Sequence, residues 1–174
     1  MKGFTLLEVV LVSVVIVLLL AAAMPRFQQA SERLRAEQTA FALTQLLRAA
    51  REQAVVQGRT VVWAWDPAAR HAQLYGLATA ADGSLTGTAL AARTDAYGPV
   101  TPDCSLLVRR SDGQNPACEA STGLECADCS CLHFFPDGTG EAAVLQVDHR
   151  GWRYTVTIDA ATGAALLASG SAAG

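Results

Sequence analysis

Clustered positive charge is scarce in this chain. Arg109-Arg110 and Arg150 with Arg153 are small groupings, and the stretch Ser169–Gly174 has no charged side chain. With a formal charge of −3 and a pI of 5.5, nothing drives it generally toward nucleic acid. Catalytic patterns are missing too. No serine sits in a nucleophile-elbow context, and no carboxylate pair stands at a telling spacing. His71, His133 and His149 are scattered and read as strand-surface or edge residues. An enzyme is therefore not expected, nor is a cofactor or a metal. Asp137, Glu141 and Asp148 can be drawn together as a calcium site, but Asp137-Gly138-Thr139-Gly140 is more simply a turn. Aromatics make up only 6% of a chain that is 51% apolar, so the apolar share comes largely from alanine and one N-terminal run. With 174 residues there is room for one domain besides that run.

The longest absence is of charge. No residue from Val9 to Pro25 is charged, and Phe4–Met24 is broken only by Thr5, Glu8 and Ser13. At ~1.5 Å per residue such a helix crosses a hydrocarbon core of about 30 Å. An ionised carboxylate there costs at least ~2.5–3.5 kcal/mol, so Glu8 needs a partner or a task. Lys2 and the amino terminus precede the run, which keeps that end cytoplasmic by the positive-inside rule. Everything after Met24 is then expected outside the cytoplasm. Two plainer readings compete. Ala21-Ala22-Ala23 offers a signal-peptide cleavage site, but the apolar core is too long and contains Glu8. An ordinary single-pass anchor carrying an extracytoplasmic binding domain has no use for Gly3-Phe4 or for the acid.

All five cysteines, Cys104, Cys118, Cys126, Cys129 and Cys131, lie in the second half. Cys126, Cys129 and Cys131 beside His133 can be drawn as a zinc knuckle. A closed structural site usually needs two separated ligand pairs, and an oxidising compartment favours disulfides. Two disulfides stapling loops are expected, with the odd thiol free or paired between chains and the connectivity open.

Past Pro25, Leu34, Phe41, Leu43, Leu46, Leu47, Ala50 and Ala54 are expected on one side of an amphipathic helix over 26–57. Glu32, Arg35, Gln38, Gln45, Arg48 and Glu52 are expected mostly on the other, with Arg48 and Glu52 able to pair. Gly58 is expected to cap the helix and Pro25 to kink it. From Gly58 on, the period becomes two. Thr60–Trp65 and His71–Tyr75 suggest a hairpin, and Gly76–Pro102 reads as mostly loop with room for one strand. Ser105–Arg109 reads as a strand and Ser111–Ser130 as a cysteine-bearing loop. Leu132–Phe135, Ala143–His149, Trp152–Asp159 and Ala164–Ala168 read as strands, the last three as an antiparallel meander. The tail Ser169–Gly174 is expected to be disordered.

Gly3-Phe4 before an apolar run with one carboxylate resembles the N-terminus of type IV pilins and type II secretion pseudopilins. Leu46–Ala54 leading into Gly58–Val62, the turn Phe134–Gly140 and the hairpin Trp152–Ile158 closed by Thr162-Gly163 resemble the H-type minor pseudopilins and related pilus-priming minor pilins. The resemblance implies an α+β fold: a long membrane-spanning helix followed by an antiparallel β-sheet domain. It implies a leader of residues 1–3 removed by prepilin peptidase between Gly3 and Phe4, N-methylation of Phe4, and a helix over 4–58 that spans the membrane at 4–24. It implies a periplasmic domain over 59–174, with the cysteine-bearing loop 104–131 as a departure from the family pattern. Glu8 would meet the methylated amine of Phe4 on a neighbouring subunit, and Pro25 matches a helix-loosening proline of the family. The expected function is that of a non-catalytic H-type minor pseudopilin in the inner membrane, with other pilins or pseudopilins, membrane lipid and prepilin peptidase as partners. The alternative is a minor pilin of a type IV pilus or DNA-uptake system, although DNA binding is not favoured by so few clustered arginines.

Overall fold

The computed structural model describes residues 6–79, 85–90, 104–113, 118 and 128–172, leaving aside the side chains of 22–29, 85, 169, 171 and 172. One helix, α1 (Leu6–Gln57), is followed by eight strands. These are β1 (Val61–Asp66), β2 (His71–Thr79), β3 (Leu85–Ala89), β4 (Ser105–Arg110), β5 (Ser130–Phe134), β6 (Ala143–His149), β7 (Trp152–Ile158) and β8 (Ala165–Ala172). The 52 residues of α1 make a rod of roughly 78 Å. It remains helical past residue 25 and ends as expected at Gly58, whose φ is +62°. The amide of Gly58 donates to Val55 O and that of Arg59 to Ala54 O, at 3.4 and 3.3 Å. This double bond is the Schellman closure that a left-handed glycine permits.

The strands form two antiparallel four-stranded sheets, in the orders β3-β2-β1-β5 and β4-β6-β7-β8. The predicted β1–β2 hairpin is present, with Asp66 opposite His71. Its turn is held by Asp66 Oδ1, which accepts from the amides of Ala68 and Ala69 at 2.8 and 3.1 Å. The meander of β6, β7 and β8 is present as well. Strand order elsewhere ignores chain order: β4 pairs with β6, while the intervening β5 joins β1. A short link joins the two sheets, in which Glu141 N donates to His133 O at 3.0 Å and Ser111 N to Ala142 O at 3.1 Å.

The lower half of α1 beyond the apolar run lies on both sheets through Ala36, Ala40, Leu43, Leu46, Leu47, Ala50 and Ala54. Against them pack Val61, Trp63 and Trp65 from β1, Leu132 and Phe134 from β5, and Leu145, Val147, Tyr154, Val156 and Ile158 from the meander. Four of the seven helix residues are alanine, so the backbone comes close to the sheets. Thr39 and Thr44 share this buried face by returning their hydroxyls to Arg35 O and Ala40 O. The other face of β1 has its own small cluster of Val62, Ala64, Leu77 and Cys131, with Tyr75 and Cys118 packed on it.

Three sequence expectations are corrected here. Leu34 and Phe41 are 53% and 57% exposed; at 100° per residue they lie roughly 100–160° around the helix from Ala36 and Ala40. The expected Leu43, Leu46, Leu47, Ala50 and Ala54 are buried, but Ala36 and Ala40 take the places expected of Leu34 and Phe41. Arg48 reaches Ala165 O at 3.4 Å rather than pairing along the helix with Glu52. The tail joins β8 through Ala172, opposite Trp152. A bulge falls opposite Tyr154, and a Cβ at Gly170 would lie 2.6 Å from the Tyr154 ring. Glycine is needed there for the strand to continue. β3 is the one strand for which the segment Gly76–Pro102 left room.

Candidate functional site

Two features stand out along α1. The first is its N-terminal stretch. From Leu6 to Leu20 the large apolar side chains are between 46% and 85% exposed on all sides of the helix. Glu8 lies in the first turn and lines a shallow crevice with Val9, Val12 and Ser13. The Ser13 hydroxyl is satisfied within the helix by donating to Val9 O at 2.8 Å. An apolar surface of this extent needs a nonpolar environment or a partner. Among the described residues no helix is long and apolar enough to cross a membrane. Gly3 and Phe4 lie outside the described residues, as does the side chain of Pro25.

The second feature is a clamp that ties the β6–β7 hairpin to α1. The hairpin turns through Arg150 and Gly151, with φ of +44° and +87°, between the paired residues His149 and Trp152. Two positive φ values define the tight type I′ turn suited to hairpins, where Asn or Gly is the usual first residue. Arginine there costs about 1 kcal/mol or more of backbone strain. From this turn Arg150 Nη1 lies 2.7 Å from Glu32 Oε1. The other Glu32 oxygen is in hydrogen-bond contact with His149 Nε2, whose side chain is 1% exposed. Beside them the Arg33 guanidinium lies 5.3 Å from the centre of the Trp152 ring. At the far end of the domain Arg51 Nε donates to Gly138 O at 3.2 Å. The helix is thus pinned to the sheets at both ends of their contact.

Both carboxylates of these networks are held below their usual range. For Glu32 the His149 hydrogen bond acts most strongly, burial opposes it, and the charge of Arg150 adds to the lowering. For Glu141 burial pushes upward, but the hydrogen bond and charge of His133 and the charge of Arg110 outweigh it. Glu141 holds Arg110 at 3.0 Å and His133 at 3.1 Å. A carboxyl lowered in the folded chain lends stability that is complete above its ordinary value of 4.5 and is lost as pH falls through the lower folded value. Melting temperature should therefore fall below about pH 4.5. Glu32→Gln should melt lower at neutral pH, where the clamp is intact, and lose less on acidification. Thermal melts across that range check it; parallel curves for the two proteins would remove Glu32 from the account.

The sequence placed Glu32 on the polar side of the helix and His149 on a strand surface. Instead Glu32 lies one turn before Ala36 on the core-facing stripe, and His149 is buried. A carboxylate in register with a run of buried alanines was the available signal, visible only once the alanines are taken as the core face.

The cysteines divide. Cys118 and Cys131 form a disulfide with Cα atoms 4.8 Å apart, and Cys129 is also disulfide-bonded. Cys126 lies outside the described residues. The buried Cys104 thiol contacts Thr39 Oγ1 at 3.6 Å. The 13-residue separation of Cys118 and Cys131 makes that cross-link worth about 3 kcal/mol in the chain-entropy account. Among the described residues no group of three or more His, Cys, Asp and Glu is placed to hold a metal ion. Asp137 belongs to a turn, accepting from Thr139 N and Oγ1 at 2.9 and 2.7 Å.

Thr39 to Thr162, from the buried face of α1 to the turn before β8, matches the sequence profile of the type II transport protein GspH. The chain belongs to the GspH family. Two solved structures of the minor pseudopilin EpsH from the type 2 secretion system of Vibrio cholerae share the GspH-family fold seen here. Their TM-scores are 0.52 and 0.56, each at 17% identity. The first match covers 78% of this chain and 97% of that one, the second 80% and 96%. The type IV minor pilin FimU of Pseudomonas aeruginosa aligns at a TM-score of 0.43 and 15% identity, over 82% of this chain and 91% of that one. No curated protein matches in sequence. The family match begins after the apolar stretch, so it does not cover Gly3, Phe4, Glu8 or Pro25.

Proposed function

We propose that this GspH-family chain is an H-type minor pseudopilin of a type II protein secretion system, a structural subunit without a catalytic role. The observation that carries this reading is the GspH match across the sheet domain, on a helix whose stretch from Leu6 to Leu20 is bare apolar surface. Phe4–Met24 holds the subunit in the inner membrane as a single span, with its N-terminus cytoplasmic and residues 59–174 periplasmic. The EpsH relative bears the description minor pseudopilin, and the same role here means filament assembly with other pseudopilins. Prepilin peptidase removes residues 1–3 and Phe4 is N-methylated. In the filament Glu8 meets the Phe4 amine of a neighbour. Removing one partner would leave a charge buried in hydrocarbon, so the pair sets helix register and disfavours misaligned stacks. Pro25 lacks an N–H and so loosens the helix where it leaves the membrane.

Processing tests the reading directly. The peptidase requires a residue without a side chain at the cut, so Gly3→Val should leave the precursor full length. Mass spectrometry of the wild-type chain from membranes should find N-methylated Phe4 as the first residue. A native N-terminus at Met1 or at Met24 would overturn the pseudopilin reading.

A further inference from the structure

We propose that the tip of the β6–β7 hairpin, with the adjoining turn of α1, rests on the phospholipid headgroups of the membrane into which the same chain inserts. Its ligand there is the phosphate of acidic phospholipids. This rests on the reading that Phe4–Met24 spans the bilayer.

Height along the helix places the tip. Glu32, to which the tip is clamped, is eight residues beyond Met24, or ~12 Å along the axis. The headgroup layer extends roughly 5–8 Å beyond the hydrocarbon on each side. Glu32 thus stands roughly 4–7 Å beyond the headgroups, a gap that a tilt near the usual ~20° closes for one side of the domain. The hairpin tip, the start of β4 opposite Asp148 and the end of β8 opposite Trp152 form the end of the domain nearest the span. The opposite end is pinned near Arg51, about five turns higher.

The chemistry at this end suits the interface. Arg150 is 68% exposed even while paired with Glu32, and Arg153 is 47% exposed beside Asp148. Arg33 is exposed and lies over Trp152, which is itself half-buried. Trp63 and Trp65 are buried in the core, at 0% and 4% exposure, so Trp152 is the indole available to lipid. An amphipathic indole stacked on an arginine at the membrane-proximal end of the domain matches the side chains that anchor proteins at membrane interfaces. Arginine near an acidic leaflet is attracted to phosphate, and its planar fork can hold it bidentately. Glu32 and Asp148 neutralise part of this charge, so the contact positions the domain before assembly rather than holding it there permanently.

The test uses the full chain in vesicles of phosphatidylcholine with or without phosphatidylglycerol, containing a lipid with a nitroxide on its headgroup or mid-chain. Resistance to alkaline extraction first shows that the chain is inserted, and Trp152→Phe identifies the Trp152 share of the emission. The headgroup nitroxide should quench Trp152 in the acidic vesicles, and the mid-chain nitroxide should not. Arg150→Gly suits the left-handed turn and removes the charge; combined with Arg33→Gln it should abolish this quenching, whereas Arg150→Lys should keep it. An inserted chain whose Trp152 is unquenched overturns the proposal and leaves the span intact. Quenching that is equal without phosphatidylglycerol, or indifferent to the arginines, overturns the phosphate ligand. A chain removed by alkali overturns the span reading and the lipid contact together.

Discussion

Glu8→Ala should abolish incorporation into the filament while leaving membrane insertion unimpaired or easier. The substitution takes a costly charge out of an apolar helix, a change of about 2.5 kcal/mol or more in favour of insertion. Glu8 is in the first turn of a 52-residue helix, and the first core residue, Ala36, lies 28 positions later. The sheet domain should therefore fold and melt as in the wild type. Assembly should suffer because, in the proposed filament, the amine of Phe4 on the neighbouring helix would be left in hydrocarbon without its counter-charge and the register of the bundle would be less well specified. Glu8→Gln makes the same test at nearly constant shape. The measurement is filament incorporation, or secretion in a strain lacking the native subunit, at matched protein level. Wild-type assembly by Glu8→Ala would make the acid incidental and favour a plain single-pass anchor.

Phe134→Ala should come close to unfolding the domain, whereas Phe135→Ala should be mild. Phe134 is fully buried among the helix and sheet residues of the core, while Phe135 is 37% exposed. Truncating a buried phenylalanine costs about 3–5 kcal/mol, a large part of the 5–15 kcal/mol typical of a whole domain. The Phe134 ring also lies against the backbone of Gly140, where a Cβ would come within 3.3 Å. Its loss therefore opens a cavity beneath the Phe135–Thr139 turn. Denaturant unfolding of the detergent-solubilised chain, followed by tryptophan emission from Trp63 and Trp65, should show a much lower midpoint for Phe134→Ala. Equal midpoints for the two variants would mean that the core is centred elsewhere.

Local chemistry carried much of the fold in the sequence. The Gly58 cap, the β1–β2 hairpin and the meander of β6, β7 and β8 each follow from residues close together in the chain: a glycine after a helical period, an Asp-Pro turn, alternating strands with glycine between them. The GspH-like turn at Phe134–Gly140 and the disulfide chemistry of the cysteines were legible for the same reason. Leu43, Leu46, Leu47, Ala50 and Ala54 were legible as the buried face of α1, and the tertiary structure decided that this stripe continues through Ala36 and Ala40 rather than Leu34 and Phe41. Hydrophobicity favoured Leu34 and Phe41, but close approach of a helix to two sheets rewards small side chains, and the alanine stripe won. Tertiary structure likewise placed β5 beside β1 and β4 beside β6, pairings across long separations with no local signature. It extended β8 into the tail because Gly170 clears the Tyr154 ring. It also joined Glu32 to His149 and Arg150 across more than 100 residues. An ion pair of that span depends on the docked helix, and the register of Glu32 with the alanine stripe marks only its helix end.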